Sequence, residues 1–180
     1  MKLPTLQFAG IVYRAHHPKW AFKPLSGDGA KQHGGRFNSP GVDALYTSLD
    51  PTTAWMEAQQ SFPFKPQPMT LVAYQVNCSD VVDLNNPVVQ KTMGYSSGDM
   101  ACDWEDLATQ KQEPPTWLLA NELKKLGVAG ILVRSFAPGC TENNRNLIFW
   151  KWSDMPPHAI QIIDDLRRLP KSKDSWGNKH

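Results

Sequence analysis

Frequent prolines and glycines limit the regular elements of this chain to short lengths. Its 180 residues include 15 prolines and 12 glycines, and both residue types interrupt helices and strands. Short apolar runs rich in β-branched and aromatic residues lie between these interruptions and favour strands. A chain of this length is most simply one domain with a sizeable core. We therefore expect an α+β fold, in which a small, mostly antiparallel sheet packs against a few helices.

The apolar runs and the turn signals between them predict the individual elements. The clearest helix starts at Asp50-Pro51, an acidic N-cap followed by proline at the first helical position, and extends to about residue 60. A second helix over 116–126 is ended by Gly127, and shorter helices are predicted over 87–92, over 103–110 and after Asp164. Strands are predicted over 11–15, 36–38, 44–48, 69–76, 81–84, 130–135, 147–152 and 159–163. These elements fit one domain over 1–169 and a polar, mobile tail over 170–180.

Composition argues against several classes of protein. A net charge of +2 is too small for a broad nucleic-acid-binding surface. No apolar run approaches the roughly 20 residues that cross a bilayer, and the N-terminus lacks the apolar core of a signal peptide. Three widely spaced cysteines indicate free thiols in a reducing cytoplasm, and the five histidines show no metal-binding spacing. We expect a cytoplasmic protein with no metal site, no membrane contact and no direct nucleic-acid partner.

Two arginines in the first third of the chain are candidates for anion binding. Arg14 lies in a predicted apolar strand, where its charge needs either a structural salt bridge or an anionic ligand. Arg36 follows Gly34-Gly35, which fits an anion-binding turn and fits a simple tight turn equally well. The chain has neither a P-loop nor a Rossmann fingerprint, so neither of those nucleotide sites is expected.

Four further polar or aromatic residues complete the candidate site. Tyr46 is either a core aromatic or a stacking surface for a ring. Glu57 is either a solvated helix residue or a pocket carboxylate, because it shares one helix face with Ala54, Ala58 and Ser61. A lone carboxylate argues against an ordinary glycosidase, which pairs two. Ser135 and Asn146 lie at strand ends, and because no GxSxG elbow surrounds Ser135, hydrogen bonding is favoured over a nucleophilic role.

These motifs, taken in order, resemble those of the RES domain family. The resemblance rests on YRA with Arg14, GGRFN with Arg36, LYTS with Tyr46, the A-x-x-E helix with Glu57, GILVRS with Ser135 and NLIFW with Asn146. It implies a split-sheet fold similar to the diphtheria-toxin-like ADP-ribosyltransferases. It also implies a toxin that depletes NAD+ by cleaving the nicotinamide–ribose bond, by phosphorolysis or by hydrolysis. Such toxins are usually encoded beside an Xre-type helix-turn-helix antitoxin.

The resemblance also implies a role for each site residue. Glu57, Arg14 and Ser135 are expected to be catalytic. Arg14 and Arg36 are expected to bind the NAD+ phosphates, and Tyr46 is expected to stack near nicotinamide. Ser135 and Asn146 are expected to position the ribose or the nicotinamide amide.

The implied ligands and partners leave several alternatives open. No cofactor is expected besides NAD+ as substrate, with inorganic phosphate as the co-substrate of a phosphorolysis. Two other functions stay open, namely ADP-ribosylation of a cellular protein and nucleotide binding without turnover. The formation of a homodimer is not determined by the sequence either.

Overall fold

The computed structural model describes residues 3–59 and 67–176, and a sheet organises this part of the chain. The strand order is β1-β2-β5-β4-β3-β6, and β1 also pairs with β3. Strands β1 to β5 therefore close into a barrel, while β6 extends the sheet beyond β3. The prediction of a split sheet is wrong in this respect, although the α+β class and the mostly antiparallel pairing are confirmed. The strands are β1 (Leu6–His16), β2 (Leu45–Ser48), β3 (Thr70–Asp83), β4 (Gly130–Arg134), β5 (Arg145–Phe149) and β6 (His158–Ile162).

The barrel closes because β1 and β3 are long enough to pair along most of their lengths. They run antiparallel from Phe8 opposite Cys78 to His16 opposite Thr70. The sequence left open whether the run over 81–84 continues the strand over 69–76 or pairs with it, and the structure shows one continuous β3 of 14 residues. Asp80 adopts a φ of +60°, and beyond it β3 pairs in parallel with β4. Because β3 pairs with β1 along its first part and with β4 along its last part, it closes the barrel.

Six α-helices are present in the described residues. The Asp50 side chain accepts a hydrogen bond from the Thr53 N–H at 2.8 Å, which confirms the predicted helix start. The helices predicted near residues 87, 103 and 116 are confirmed as α3, α5 and α6, whereas α1 and α4 were not predicted. The helices are α1 (Asp28–His33), α2 (Pro51–Ala58), α3 (Pro87–Met93), α4 (Ser97–Met100), α5 (Trp104–Thr109) and α6 (Pro115–Lys125).

Two predicted elements differ from the structure. Residues 36–38 form a turn, not a strand, because Gly35 and Asn38 exchange main-chain hydrogen bonds of 2.9 and 3.2 Å. After Asp164 the chain makes a turn, in which the Asp164 carboxylate accepts two main-chain N–H groups, and no helix follows directly. In the tail, a 3-10 helix over Lys173–Trp176 lies against a 3-10 helix over Pro18–Trp20.

Apolar side chains cover both faces of the sheet. Alternation along β5 sends Leu147 and Phe149 into one buried cluster and Ile148 into a second cluster, which packs against α6. Cys78 is buried, Cys102 and Cys140 are half-buried, and all three are free thiols, as predicted. None of the helices in the described ranges has the length and apolarity that crossing a bilayer requires.

Candidate active site

A cleft of about 420 Å³ opens beside α2 and contains most of the residues predicted from the sequence. Five of the six predicted site residues line it, and the sixth, Ser135, is buried behind Glu57. The remaining walls come from α1, the turn after it, α5, residues of β1, β2 and β5, and the end of β4 with the segment that follows it. The five lining residues are Arg14, Arg36, Tyr46, Glu57 and Asn146.

Helix α2 presents Glu57 to the cleft through its predicted face. Ala54, Glu57 and Ala58 are spaced three and four residues apart and all line the cleft. The small side chains of Ala54 and Ala58 leave room for a ligand beside the Glu57 carboxylate. Ser61, which was predicted to share this face, lies outside the described residues.

Neutral hydrogen-bond donors from two strand ends orient the Glu57 carboxylate. The Ser135 hydroxyl and the Asn146 amide N–H both donate to Glu57 Oε1 at 2.5 Å. Ser135 Oγ in turn accepts the Ala137 main-chain N–H at 3.2 Å, which directs the hydroxyl proton toward Glu57. These bonds fix the position of the carboxylate without neutralising its charge, because neither donor is cationic.

The pairing of β2 with β5 explains why Asn146 points at Glu57. Ser48 lies opposite Asn146 in the register, and Tyr46 lies opposite Ile148. All four residues line the cleft, since alternate residues of a strand share one face. The Ser48 hydroxyl donates to Asn146 Oδ1 at 2.7 Å, so the amide N–H group is turned toward the carboxylate.

Arg14 is anchored by main-chain carbonyl groups of the segment that follows β1. Its Nη1 donates to the carbonyl oxygens of Pro24 at 3.1 Å and Ser26 at 2.8 Å. No carboxylate pairs with Arg14 in the described part of the chain, so a structural salt bridge does not explain its charge. Burial lowers the pKa of Arg14, but a guanidinium stays protonated at neutral pH. Arg14 therefore brings a positive charge to the cleft wall.

Arg36 is also anchored by main-chain carbonyl groups, which belong to the end of α4 and the segment that follows it. Its Nη1 donates to the carbonyl oxygens of Met100 at 3.1 Å and Cys102 at 2.5 Å. Its guanidinium carbon lies 4.5 Å from the ring centroid of Phe136. Burial lowers the pKa of Arg36, and nearby Cys102 and Glu57 offset part of that effect. Arg14 and Arg36 are both held by neutral main-chain carbonyl groups, which position the guanidinium groups without cancelling their charge.

The glycine pair before Arg36 serves a close approach to Tyr46. The Tyr46 hydroxyl donates to Asn38 Oδ1 at 2.7 Å and accepts the Phe37 N–H at 3.0 Å. A Cβ atom at Gly35 would lie 2.5 Å from that hydroxyl oxygen, which is too close for any other residue type. Burial raises the pKa of Tyr46, so the phenol stays neutral. The turn therefore requires both glycines, because Gly35 lies against the Tyr46 hydroxyl and Gly34 has a φ of +76°.

Sequence reasoning missed several residues of the cleft. Arg134 and Phe136 flank Ser135 and line the cleft. A charge within a predicted apolar strand was the signal that identified Arg14, and the same signal is present at Arg134. Trp104 and Glu105 also line the cleft, but they lie in a region where no motif was recognised. The sequence had suggested that Glu57 is a lone carboxylate. Exposed Glu105 also lines the cleft, so the cleft contains a second carboxylate. No group of three or more metal-ligating side chains occurs within the described ranges.

Comparison with known proteins assigns the family. A family model described as the RES domain matches residues 11–172. The chain belongs to the RES domain family. All six predicted site residues lie within the matched range. No curated protein matches the sequence.

A solved structure shows the same fold. The RES domain is similar to a chain in the crystal structure of the M. tuberculosis MbcT–MbcA toxin–antitoxin complex, with a TM-score of 0.63 and 21% sequence identity. The match covers 89% of this chain and 84% of that chain. At this identity the likeness establishes the fold.

Proposed function

We propose that this RES domain cleaves NAD+ between nicotinamide and ribose, as the toxin of a toxin–antitoxin pair. The observation that carries the proposal is the Glu57 carboxylate, held by Ser135 and Asn146 in a cleft that also contains two arginines supported by main-chain carbonyl groups. A fixed negative charge beside fixed positive charges suits a substrate whose reacting end becomes cationic and whose centre is a diphosphate. NAD+ has both properties.

The bond cleavage needs little help from an acid. When the bond between C1′ of the ribose and the pyridinium nitrogen breaks, both electrons go to nitrogen and nicotinamide leaves as a neutral ring. Positive charge collects on the ribose as an oxocarbenium ion. An oxygen of phosphate or of water then bonds to C1′. Phosphate gives ADP-ribose 1-phosphate, whereas water gives ADP-ribose and releases one proton to solvent.

Glu57 is proposed to stabilise that ribosyl cation. A preorganised charge is most effective where charge develops in the transition state, and its removal typically costs about 10²–10³-fold in kcat. Ser135 and Asn146 act on Glu57 by holding its Oε1. This assigns them a different task from the ribose or amide contacts that the family resemblance implied.

The cleft wall is proposed to bind the rest of the dinucleotide. Arg14 and Arg36 offer guanidinium groups for the diphosphate, because paired donors match phosphate oxygens. The Tyr46 ring, fixed through its hydroxyl, offers an aromatic surface for nicotinamide. A fold related to the ADP-ribosyltransferases is part of the same proposal.

Product analysis tests the proposed reaction. Purified chain without any partner is incubated with NAD+ in phosphate-containing and phosphate-free buffers, and the products are separated by chromatography. We expect free nicotinamide in equal amount to the NAD+ consumed, with ADP-ribose 1-phosphate or ADP-ribose as the second product. Unchanged NAD+ after long incubation would refute the proposal. Labelled ADP-ribose appearing on an added cellular protein, with little free product, would indicate protein ADP-ribosylation instead.

An antitoxin partner is proposed from the comparison structure. The similar fold occurs in a toxin–antitoxin complex, and the family resemblance implies a small Xre-type helix-turn-helix protein. Co-expression of this chain with a helix-turn-helix protein encoded beside it should give a stable complex that does not release nicotinamide. Separate elution of the two proteins would contradict the partnership and leave the NAD+ reaction to be judged by its own assay.

A further inference from the structure

We infer that Arg134, together with Arg36 and Phe136, forms a second phosphate-binding subsite, separate from Arg14. The inference rests on the proposed NAD+ cleavage and adds to it a residue that positions a phosphate group beside Glu57. The subsite comprises two guanidinium groups and the aromatic ring that both of them contact.

The Arg134 side chain has a buried hydrogen-bond donor without a partner in the described residues. It ends β4, and its side chain lines the cleft. Its Nε atom is buried and has no hydrogen-bond partner in the described part of the chain. A buried polar group without a partner is costly, and more so when it is charged. Arg134 is therefore not explained by its contribution to folding, and a ligand that accepts a hydrogen bond from Nε would explain it.

Arg145, the arginine next to Arg134 across the sheet, differs from it in having an acidic partner. Arg145 lies directly opposite Arg134 in the β4–β5 register. It pairs with Asp83 at 3.6 Å and does not line the cleft. No carboxylate pairs with Arg134 in the described residues. Of two adjacent arginines, one has an acidic partner in the protein and the other faces the cleft without one.

Phe136 brings the charges of Arg134 and Arg36 into one place. The guanidinium carbon of Arg36 lies 4.5 Å from the centroid of the Phe136 ring, and that of Arg134 lies 5.2 Å from it. Contact with the ring stabilises each cation, but two cations on one ring repel each other. An anion that bridges them removes this repulsion.

The chemistry of the subsite fits a phosphate group. Guanidinium groups donate paired hydrogen bonds that match two oxygens of a phosphate. Arg36, Arg134 and Phe136 line the same cleft as Glu57, and the Glu57 charge acts on Arg36, so the subsite lies close to the carboxylate that would face the ribose. The phosphate group has two sources, inorganic phosphate as the acceptor of the reaction and the diphosphate of the dinucleotide.

Binding measurements on matched variants test the subsite without requiring turnover. Arg134→Met removes the charge but keeps the apolar stem, and Arg145→Met is the matched control. Isothermal titration calorimetry at constant ionic strength measures the affinity for inorganic phosphate and for ADP-ribose. We expect Arg134→Met to weaken binding by about tenfold or more and Arg145→Met to change it by less than about twofold. Weakened phosphate binding identifies the acceptor, and weakening confined to ADP-ribose identifies the diphosphate.

Two further measurements separate a ligand-binding role from a structural one. Because Arg134 Nε has no partner, Arg134→Met should keep or raise the thermal midpoint of the ligand-free protein. In wild-type protein, the Arg134 Nε–H resonance, assigned with Arg134→Lys, should shift on addition of phosphate or ADP-ribose. Unchanged affinity of Arg134→Met for both ligands, an equal loss in Arg145→Met, or a resonance that neither ligand shifts would overturn the subsite. These outcomes do not depend on whether NAD+ is cleaved.

Discussion

Two regions of the cleft are built in opposite ways. The carboxylate network consists of Glu57, Ser135, Asn146 and Ser48, and side-chain hydrogen bonds hold it together. The arginine wall consists of Arg14, Arg36 and Arg134, of which the first two rest on main-chain carbonyl groups. The first construction fixes one negative charge at a point. The second displays positive charge to a ligand. We therefore expect changes in the network to lower kcat and changes in the wall to weaken binding.

The largest effect is expected for Glu57→Gln. The substitution keeps the size of the side chain and an oxygen that accepts from Ser135 and Asn146, but it removes the charge that stabilises the ribosyl cation. We expect kcat for nicotinamide release to fall by roughly 10²–10³-fold, while NAD+ affinity changes by only a few-fold. Glu122→Gln, the same change at an exposed position of α6, is the control. Steady-state kinetics with calorimetric NAD+ binding measures both values, and equal kcat values for the two variants would contradict the role of Glu57.

The next largest effect is expected for Arg14→Met and should appear in binding. Loss of charge-assisted contacts to phosphate is expected to weaken NAD+ affinity by roughly 10–100-fold. The thermal midpoint should also fall, because the carbonyl groups of Pro24 and Ser26 lose their donor. Arg134→Met differs here, since its midpoint is expected to stay or rise. Calorimetry and thermal melts test the pair of variants. Unchanged NAD+ affinity in Arg14→Met would show that the wall does not bind the dinucleotide.

A smaller effect on kcat is expected for Ser135→Ala. Removing one of the two donors to Glu57 Oε1 should lower kcat about fivefold to tenfold, the value of one hydrogen bond. Ser48 is linked to Glu57 through Asn146, so Ser48→Ala should cost less. In a Glu57→Gln background, Ser135→Ala should cause little further loss, because the two residues act as one unit. A larger loss in Ser48→Ala than in Ser135→Ala would contradict the proposed order of contacts.

The smallest effect concerns the pH dependence of stability near Arg14. Burial lowers the pKa of His16 below its ordinary value of 6.5, and the nearby Arg14 charge acts in the same direction. The unfolded chain therefore binds a proton below about pH 6.5 that the folded protein resists. The His16 contribution to stability is complete above that pH and is lost as the pH falls, by at most about 1.4 kcal/mol per pH unit.

His16→Gln isolates this contribution. Urea unfolding between pH 7 and pH 5 should show wild-type protein losing more stability than the variant. Parallel curves for the two proteins would contradict a buried neutral His16.

Local signals in the sequence predicted α2 and the face that carries Glu57, because Asp50 and Pro51 define a helix start without help from the rest of the chain. Contacts between distant segments were less accessible. Ser135 is 78 residues from Glu57, and the β4–β5 and β2–β5 pairings help to bring the two together. The barrel depends in the same way on the continuity of β3, which the sequence left open because residues 77–80 separate its two apolar runs.

The supports of the arginines could not be predicted either. The carbonyl groups that hold Arg14 and Arg36 belong to Pro24, Ser26, Met100 and Cys102, and a main-chain carbonyl has the same chemistry in any residue. A salt-bridge partner would have had an acidic side chain as its sequence signature, but these supports have none. The family resemblance identified both arginines, and the structure shows what positions them.

The most direct test of the central claim is single-turnover release of nicotinamide from NAD+ that carries deuterium at C1′ of the ribose. Wild-type protein should release nicotinamide, and the deuterated substrate should react more slowly than the unlabelled one, because C1′ becomes cationic in the transition state. Glu57→Gln should slow the step for both substrates. Absence of nicotinamide release from NAD+, or a chemical step in wild-type protein with no isotope effect, would contradict the stabilisation of a ribosyl cation by Glu57.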